Sequence, residues 1–327
     1  MPARVVHAIL VDSNAVSGEQ LRRDLWGHAV LSVTAVVRSV GEALAAIGEG
    51  RADVALVDTG VAALASRVPV VAIIAATGDD AAALDALAAG AIDVWVRSDD
   101  TEDLAWRACA AATADLSRVT VPSASRPTGG SAAGTVLAIG GGTGSTPALV
   151  TVLAGLPADA AAVVATSLPA AVVRAWVADV DHYTAARLAV ARDGDRVEPG
   201  RLLVAPGDQH LMLRSTHDGG WAVAVKDGPT VHHRRPSLDV LFRSVASAGP
   251  AGAAALLGGV GSDGLAGLLA VRRAGGRTVC ESPETAVCAD RPAHALQCGA
   301  AEGAASADRV ASLLVHLTAG VPTNRAA

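Results

Sequence analysis

The chain has 327 residues, enough for two domains of ordinary size, each with a real core. Hydrophobic residues make up 51% of it but aromatics only 2%, so its apolar content is Ala, Val and Leu, which suits helix-covered parallel sheets and argues against an all-β sandwich. A formal net charge of -6, with basic residues scattered among acids, excludes the basic stripe that neutralises a nucleic-acid backbone. From Val5 to Asp12 the segment VVHAILVD reads as a strand, and its apolar run is too short for a signal-peptide core or a membrane span. The longest uncharged stretch, from Pro127 towards Pro157, is broken by Gly and Pro, so no membrane insertion and a cytoplasmic location are expected.

After the first strand, β-branched runs and Ala/Leu-rich amphipathic stretches alternate: GEQLRRDLW, VLSVTAVV, VGEALAAIGEG, ADVALVD, VPVVAIIAA, AALDALAAGA, DVWVR and TEDLAWRACAAATADL. This alternation predicts a doubly wound α/β domain over residues 1–116. Residues 117–134, rich in Ser, Pro, Gly and Thr, read as a linker. A second alternating unit spans 135–317, followed by a polar tail at 318–327. The fold class expected is therefore α/β with two doubly wound parallel-sheet domains, the first flavodoxin-like and the second Rossmann-like. Cys109, Cys280, Cys288 and Cys298 show no C-x-x-C pairing and are expected to be buried free thiols rather than a zinc site.

Two regions carry candidate chemistry. Asp12 and Asp58 each end an apolar run, and ligands of parallel sheets bind at the carboxyl ends of the strands, so the two acids should meet there. Such a pair suits Mg²⁺ and a phosphoryl group, because the cation offsets charge that would repel the phosphate. In the second unit, LAIGGGTGSTPAL runs from a strand into a helix through a turn that holds no reactive side chain between Gly140 and Gly142. Its glycines allow a tight strand-to-helix passage, and their N–H groups are also suited to cradle an anion, nucleotide or phosphate. The lack of a Walker lysine and the imperfect G-x-G-x-x-G spacing count against the nucleotide reading.

Residues 4–116 resemble the receiver domain of two-component response regulators, with Asp58 of ADVALVD at the phosphoacceptor position and Asp12 at one Mg²⁺-binding acid. That resemblance implies a histidine kinase as phosphoryl donor. Departures from the pattern point to a pseudo-receiver: Ser13 replaces a second acid, Ile74 a phosphate-sensing hydroxyl, and Arg97 and Ser98 a Lys-Pro pair. The stretch from Asp58 to Pro69 also looks too short for the usual loop and third helix.

Residues 135–317 resemble the catalytic domain of the chemotaxis protein-glutamate methylesterases, the CheB family, through three segments: EPGRLLVAPGDQHLML, DGPTVHHRRPSLDVLFRSV and LLGGVGSDGLAGLLAVRRAGGRTV. The resemblance implies demethylation of receptor glutamates and deamidation of glutamines by a Ser-His-Asp triad. Set on the family's A-I-G-A-S-T-G-G turn, this sequence has Gly142 at the nucleophile, followed by Thr143. On the Q-H-M-P segment it has Ser167, or at best Thr166, at the base; only the acid is kept, as Asp263. Arg234 and Arg291 stand where an imidazole and a methionine would line the site, and Ala293 where an arginine would. Triad groups act as a unit, and removing one lowers turnover by roughly a million-fold. The expectation is a pseudoenzyme that binds a chemoreceptor or another signalling protein and needs no cofactor. The alternatives are an active esterase or deamidase rebuilt around Thr143, Ser145 and a neighbouring histidine, and anion binding at the glycine turn. Asp263 has a plainer role open to it as a helix N-cap, and His210 as a hydrogen-bonded turn histidine.

Overall fold

The computed structural model describes residues 4–75, 80–97, 100–119, 132 and 134–319, and the chain divides into two compact units, Met1–Val119 and Thr120–Ala327. The first unit contains β1 (Val6–Val11), α1 (Ala15–Asp24), β2 (Leu31–Val37), α2 (Val40–Gly48), β3 (Val54–Val57), α3 (Val61–Leu64), β4 (Val70–Ile74), α4 (Asp80–Ala88), β5 (Asp93–Val96) and α5 (Thr101–Ala111). Its strands form one parallel sheet in the order β2-β1-β3-β4-β5. This is the flavodoxin-like order, whose direction of winding reverses between β1 and β3. Strands β3 and β4 are buried along their whole length, as expected of apolar runs covered by helices on both faces.

Two sequence expectations need correction here. The stretch after Asp58 does hold a third helix, the single turn α3, because Gly60 adopts a left-handed φ of 77° and turns the chain at once into Val61 and Leu64, both buried. The first unit also continues past Leu116: Leu116–Arg118 form a 3-10 turn whose Asp115 cap accepts from the Ser117 N–H at 3.1 Å. Most of the expected linker (120–131 and 133) and of the tail (320–327) lies outside the described residues.

The second unit contains β6 (Val136–Gly140), α6 (Thr146–Ala154), β7 (Ala161–Ala165), α7 (Ala170–Asp181), β8 (Arg187–Val190), β9 (Arg196–Val197), β10 (Arg201–Val204), β11 (His210–Ser215) and β12 (Trp221–Lys226). It continues with α8 (Leu238–Val245), β13 (Gly252–Leu256), α9 (Leu265–Arg273), β14 (Arg277–Glu281), α10 (Asp290–Gln297), β15 (Gly303–Ala305) and α11 (Ala307–Thr318). Thr318 thus ends a helix rather than opening a loose tail, its hydroxyl donating to the Leu314 carbonyl at 2.9 Å. Seven parallel strands run in the order β15-β14-β13-β6-β7-β10-β8. From β6 the chain winds outward through β7 and returns on the other side at β13, which places the switch point, and a crevice, between the carboxyl ends of β6 and β13.

A separate antiparallel sheet, β11-β12-β9, adds to the parallel architecture the sequence suggested. Strand β11 betrays it by the near alternation of buried and exposed residues in HLMLRS, a one-faced pattern unlike the continuous burial of β6 or β13. Helix α8 anchors the core by burying Leu238, Leu241, Phe242 and Val245, and truncating a buried Phe of this kind costs about 3–5 kcal/mol. Among the described residues no helix is long and apolar enough to cross a membrane.

Candidate functional site

In the first unit, Val11 lies opposite Val57 in the β1–β3 register, and this pairing sets Asp12 beside Asp58 at the switch point. Asp12 is buried, and its carboxylate accepts from the Asn14 N–H (2.8 Å), the Ser17 hydroxyl (2.7 Å) and the Arg97 guanidinium (2.8 Å). Asp58 Oδ2 accepts from both the N–H and the hydroxyl of Ser13, at 2.9 and 2.7 Å, while Oδ1 is buried without a partner. Ile74 is buried in β4 and has no hydroxyl to offer; Ser98 lies outside the described residues. Mg²⁺ requires a near-octahedral set of oxygens. The residues here do not fit it well: Ser13, where the receiver resemblance implies a further acid, already donates to Asp58, and a guanidinium pairs with Asp12.

In the second unit the glycine turn is filled by its neighbours. An ideal Cβ on Gly140 would overlap Leu238 Cδ2, and one on Gly141 would overlap Ser145 Oγ. At Gly142 it would stand 2.8 Å from Arg291 Nη1. The nucleophile position is therefore occupied, from outside, by a guanidinium that also presses on Gly259, where a Cβ would meet Nη1 at 2.9 Å. The turn is held by Gly142 N–H donating to the Gly258 carbonyl (2.9 Å) and Leu257 N–H to the Gly140 carbonyl (2.8 Å), and Arg291 N–H donates to Gly259 (3.0 Å). Arg291 is 4% exposed, and burial pulls its guanidinium below the ordinary arginine range. Thr143 is buried, and the Ser145 hydroxyl is spent on the Gly142 carbonyl at 2.7 Å.

Asp263 is a cap, but not of the helix that follows it. Its carboxylate accepts from the Ser237 hydroxyl (2.6 Å) and from the Leu238 and Asp239 N–H groups (both 3.0 Å), the free donors at the start of α8. In return, Asp239 Oδ1 accepts from the Gly264 and Gly267 N–H groups, at 3.0 and 2.7 Å, at the start of α9. The two buried acids thus cap each other's helices, and each carboxylate is compensated by a helix N-terminus. At the base position, Thr166 Oγ1 accepts from the Leu168 N–H at 3.4 Å, and Ser167 makes no side-chain hydrogen bond among the described residues. His210 sits at the start of β11, not in a turn. It is buried, with Nε2 3.0 Å from the Pro229 carbonyl and Nδ1 accepting from the Ser237 N–H at 3.3 Å.

Sequence reasoning missed Asp239 and Ser262. Ser262 Oγ lies 3.4 Å from His232 Nδ1, and the ring's Nε2 lies 3.2 Å from Asp239 Oδ2, which forms a serine-histidine-aspartate chain beside Asp263. His232 and His233 have φ of 52° and 58°, so the loop doubles back sharply and brings the first ring onto α8. A local signal existed for Asp239: a serine N-cap followed two residues later by an acid in the first turn. Donor atoms of His232, Asp239 and Asp263 lie within 4.8 Å of one another, but the carboxylates already serve helix N-termini, so the trio reads as structural rather than as a metal site.

Beneath the same loop, Glu281 Oε2 accepts from the Gly258 N–H at 2.9 Å, and burial pushes its carboxyl up to about 7. Burial also pushes the Cys109 and Cys280 thiols up, to about 11 and about 12. All four cysteines are free, but the expectation that all are buried holds only for Cys280 and Cys288: Cys109 is half-buried, and Cys298 is exposed where α10 ends.

A sequence profile described as CheB methylesterase matches residues 137–314. A protein-glutamate methylesterase/protein-glutamine glutaminase of Pseudomonas aeruginosa is 40% identical over 186 residues, 56% of this chain and 53% of that protein. One from Anaeromyxobacter dehalogenans is 37% identical over 255 residues, covering 72% and 70% of the two chains. The match to the Pseudomonas relative thus spans about half of that protein's length. The crystal structure of the Thermotoga maritima CheB methylesterase catalytic domain superposes with a TM-score of 0.54 at 27% identity, covering 57% of this chain and 99% of that domain. With the profile matching more than half of the chain, the chain belongs to the CheB methylesterase family.

Proposed function

We propose that this chain is a non-hydrolytic member of the CheB family that acts by binding a signalling partner, with the glutamate-bearing helical bundle of a chemoreceptor as the first candidate. One observation carries the reading: Arg291 Nη1 stands 2.8 Å from where the Cβ of a nucleophile at position 142 would be. A serine there would meet a guanidinium instead of open space, and a cation beside the serine is no substitute for a base that takes its proton. Asp263 supports the same conclusion, since a carboxylate that binds two backbone N–H groups and a serine hydroxyl has a structural task without any histidine. The first unit is consistent with a pseudo-receiver, because Arg97 and Ser13 engage the two acids that would bind metal and phosphoryl group. The test is methanol release from a methylated receptor fragment by the purified full chain. None is expected; release that is lost on Asp263→Asn would overturn the reading.

A second reading has the Ser262-His232-Asp239 chain in its favour, as a rebuilt esterase or amidase. Geometry weakens it. The serine contact is long at 3.4 Å, and His232 and Ser262 are exposed, so the electrostatics of the chain are weakened by solvent. Fluorophosphonate labelling of Ser262, abolished by Ser262→Ala, would favour this second reading.

A further inference from the structure

We propose that the vacated turn is a carboxylate-binding site, in which the Arg291 guanidinium beside Gly142 and Gly259 receives the free acid of a glutamate side chain in preference to its methyl ester. This rests on the reading above that the chain binds a glutamate-bearing partner, and it names the form of glutamate the site takes.

The argument starts from charge balance. Arg291 is buried, yet it makes a single side-chain hydrogen bond, from Nη2 to the Val260 carbonyl at 2.8 Å, and no ion pair among the described residues. Its Nε is buried with no partner. A buried cation without a counter-ion is costly, and such groups are ordinarily paired. The nearby acids Asp263 and Asp290, and Cys288, act on Arg291 through space, but none accepts a hydrogen bond from its guanidinium among the described residues. Asp263 influences Arg291 electrostatically, but both its oxygens are spent on the start of α8. Asp290 Oδ2 accepts from the Gly261 N–H, 2.9 Å away.

Three features add positive potential beside those acids. Arg291 lies in the first turn of α10, the helix end that disfavours a cation. The charge of Arg234 acts on it as well. Gly142 leads through the turn into the N-terminus of α6, whose Ser145 cap makes no side-chain hydrogen bond to the helix. A carboxylate there would supply the missing charge and two oxygens to match the guanidinium fork. A methyl ester offers no charge and one good acceptor. A site that once had to bind the ester and release the acid would then hold the acid.

Calorimetric titration of the full chain tests this with two synthetic helical peptides from a chemoreceptor methylation region, one with glutamate and one with its γ-methyl ester. The acid peptide is expected to bind at least about tenfold more tightly, glutarate to compete with it, and Arg291→Met to abolish the difference while Arg291→Lys retains part of it. Equal binding of acid and ester, or acid binding unchanged in Arg291→Met, would show Arg291 to be a plug and overturn the proposal while leaving the partner reading intact. If neither peptide binds, and a receptor fragment fails too, both fall. Glutarate competition needs no variant, so the proposal stays open to refutation even if Arg291→Met folds poorly.

Discussion

Arg97 follows the edge strand β5 of the first unit and Arg291 lies in α10 of the second, and each brings its guanidinium to residues at the switch point of a doubly wound sheet, Asp12 and Gly142. Arg97 is part exposed and donates to a buried carboxylate at 2.8 Å. Arg291 is buried and donates to a carbonyl at 2.8 Å. The first site is closed at Asp12, where charge meets charge; the Ser13 and Ser17 hydroxyls reach the two acids, and Asp58 Oδ1 stays buried without a partner. The second lacks such a pairing: its acids accept from backbone N–H groups, and none accepts a hydrogen bond from the guanidinium among the described residues. On the readings proposed above, the same residue type marks a retired site in one unit and a site that still calls for a ligand in the other.

The sharpest way to break this comparison is to ask what the second unit's carboxylates are for. If Asp263 is a cap of α8, Asp263→Ala leaves the Ser237 hydroxyl and two N–H groups without their buried acceptor, at a cost of about 4 kcal/mol. Denaturant titration measures it, and a loss below about 1 kcal/mol would show that the carboxylate has other business. Glu281 gives the next largest effect. Its folded carboxyl titrates at about 7 against an ordinary 4.5, so the neutral form is the one the fold prefers. Below pH 4.5 the group costs nothing; as pH climbs to about 7 the unfolded chain sheds this proton while the folded one keeps it, and stability falls by about 3 kcal/mol. Glu281→Gln should be more stable than the parent at pH 8 and equal to it at pH 4, and parallel pH profiles for the two proteins would contradict the burial argument.

Arg97→Met tests the closed site. Asp12 would keep its two other donors but lose the cation that pairs with it, and the part exposure of Arg97 limits the cost to about 2 kcal/mol. A double-mutant cycle with Asp12→Asn should return most of that value as coupling, whereas additive losses would mean that the pair is incidental.

Much of this was legible in the residues themselves. Alternating apolar runs located the strands, and the ends of two of them placed Asp12 beside Asp58. Both arginines stood out as departures from a recognisable pattern at positions 97 and 291. What each arginine touches was not legible, because it depends on register between strands and on a loop folding back. The crossed caps of Asp263 and Asp239 join residues 24 to 28 apart, and local periodicity carries no information on such contacts. Ser262 passed unnoticed because a serine before an acid reads as ordinary turn chemistry; only the left-handed backbone at His232 brings an imidazole to it. The single-turn helix α3 was hidden for a similar reason, since one left-handed glycine replaced the loop that a longer connection would have needed.

The smallest expected effect is also the one whose sign separates the two arginines. Methionine has nearly the volume of an arginine stem and carries no charge, so Arg291→Met keeps the packing against Gly142 and Gly259 while removing a buried cation. Exchanging buried charge for apolar volume is often neutral or stabilising, and about 1 kcal/mol of gain is expected here, offset in part by the lost hydrogen bond to Val260. Arg97→Met, the same substitution, should move stability in the opposite direction. Denaturation midpoints of the two variants, each read against the parent in the absence of any carboxylate ligand, decide the matter. If both substitutions destabilise alike, Arg291 already has its counter-charge within the fold, and the second site is as closed as the first.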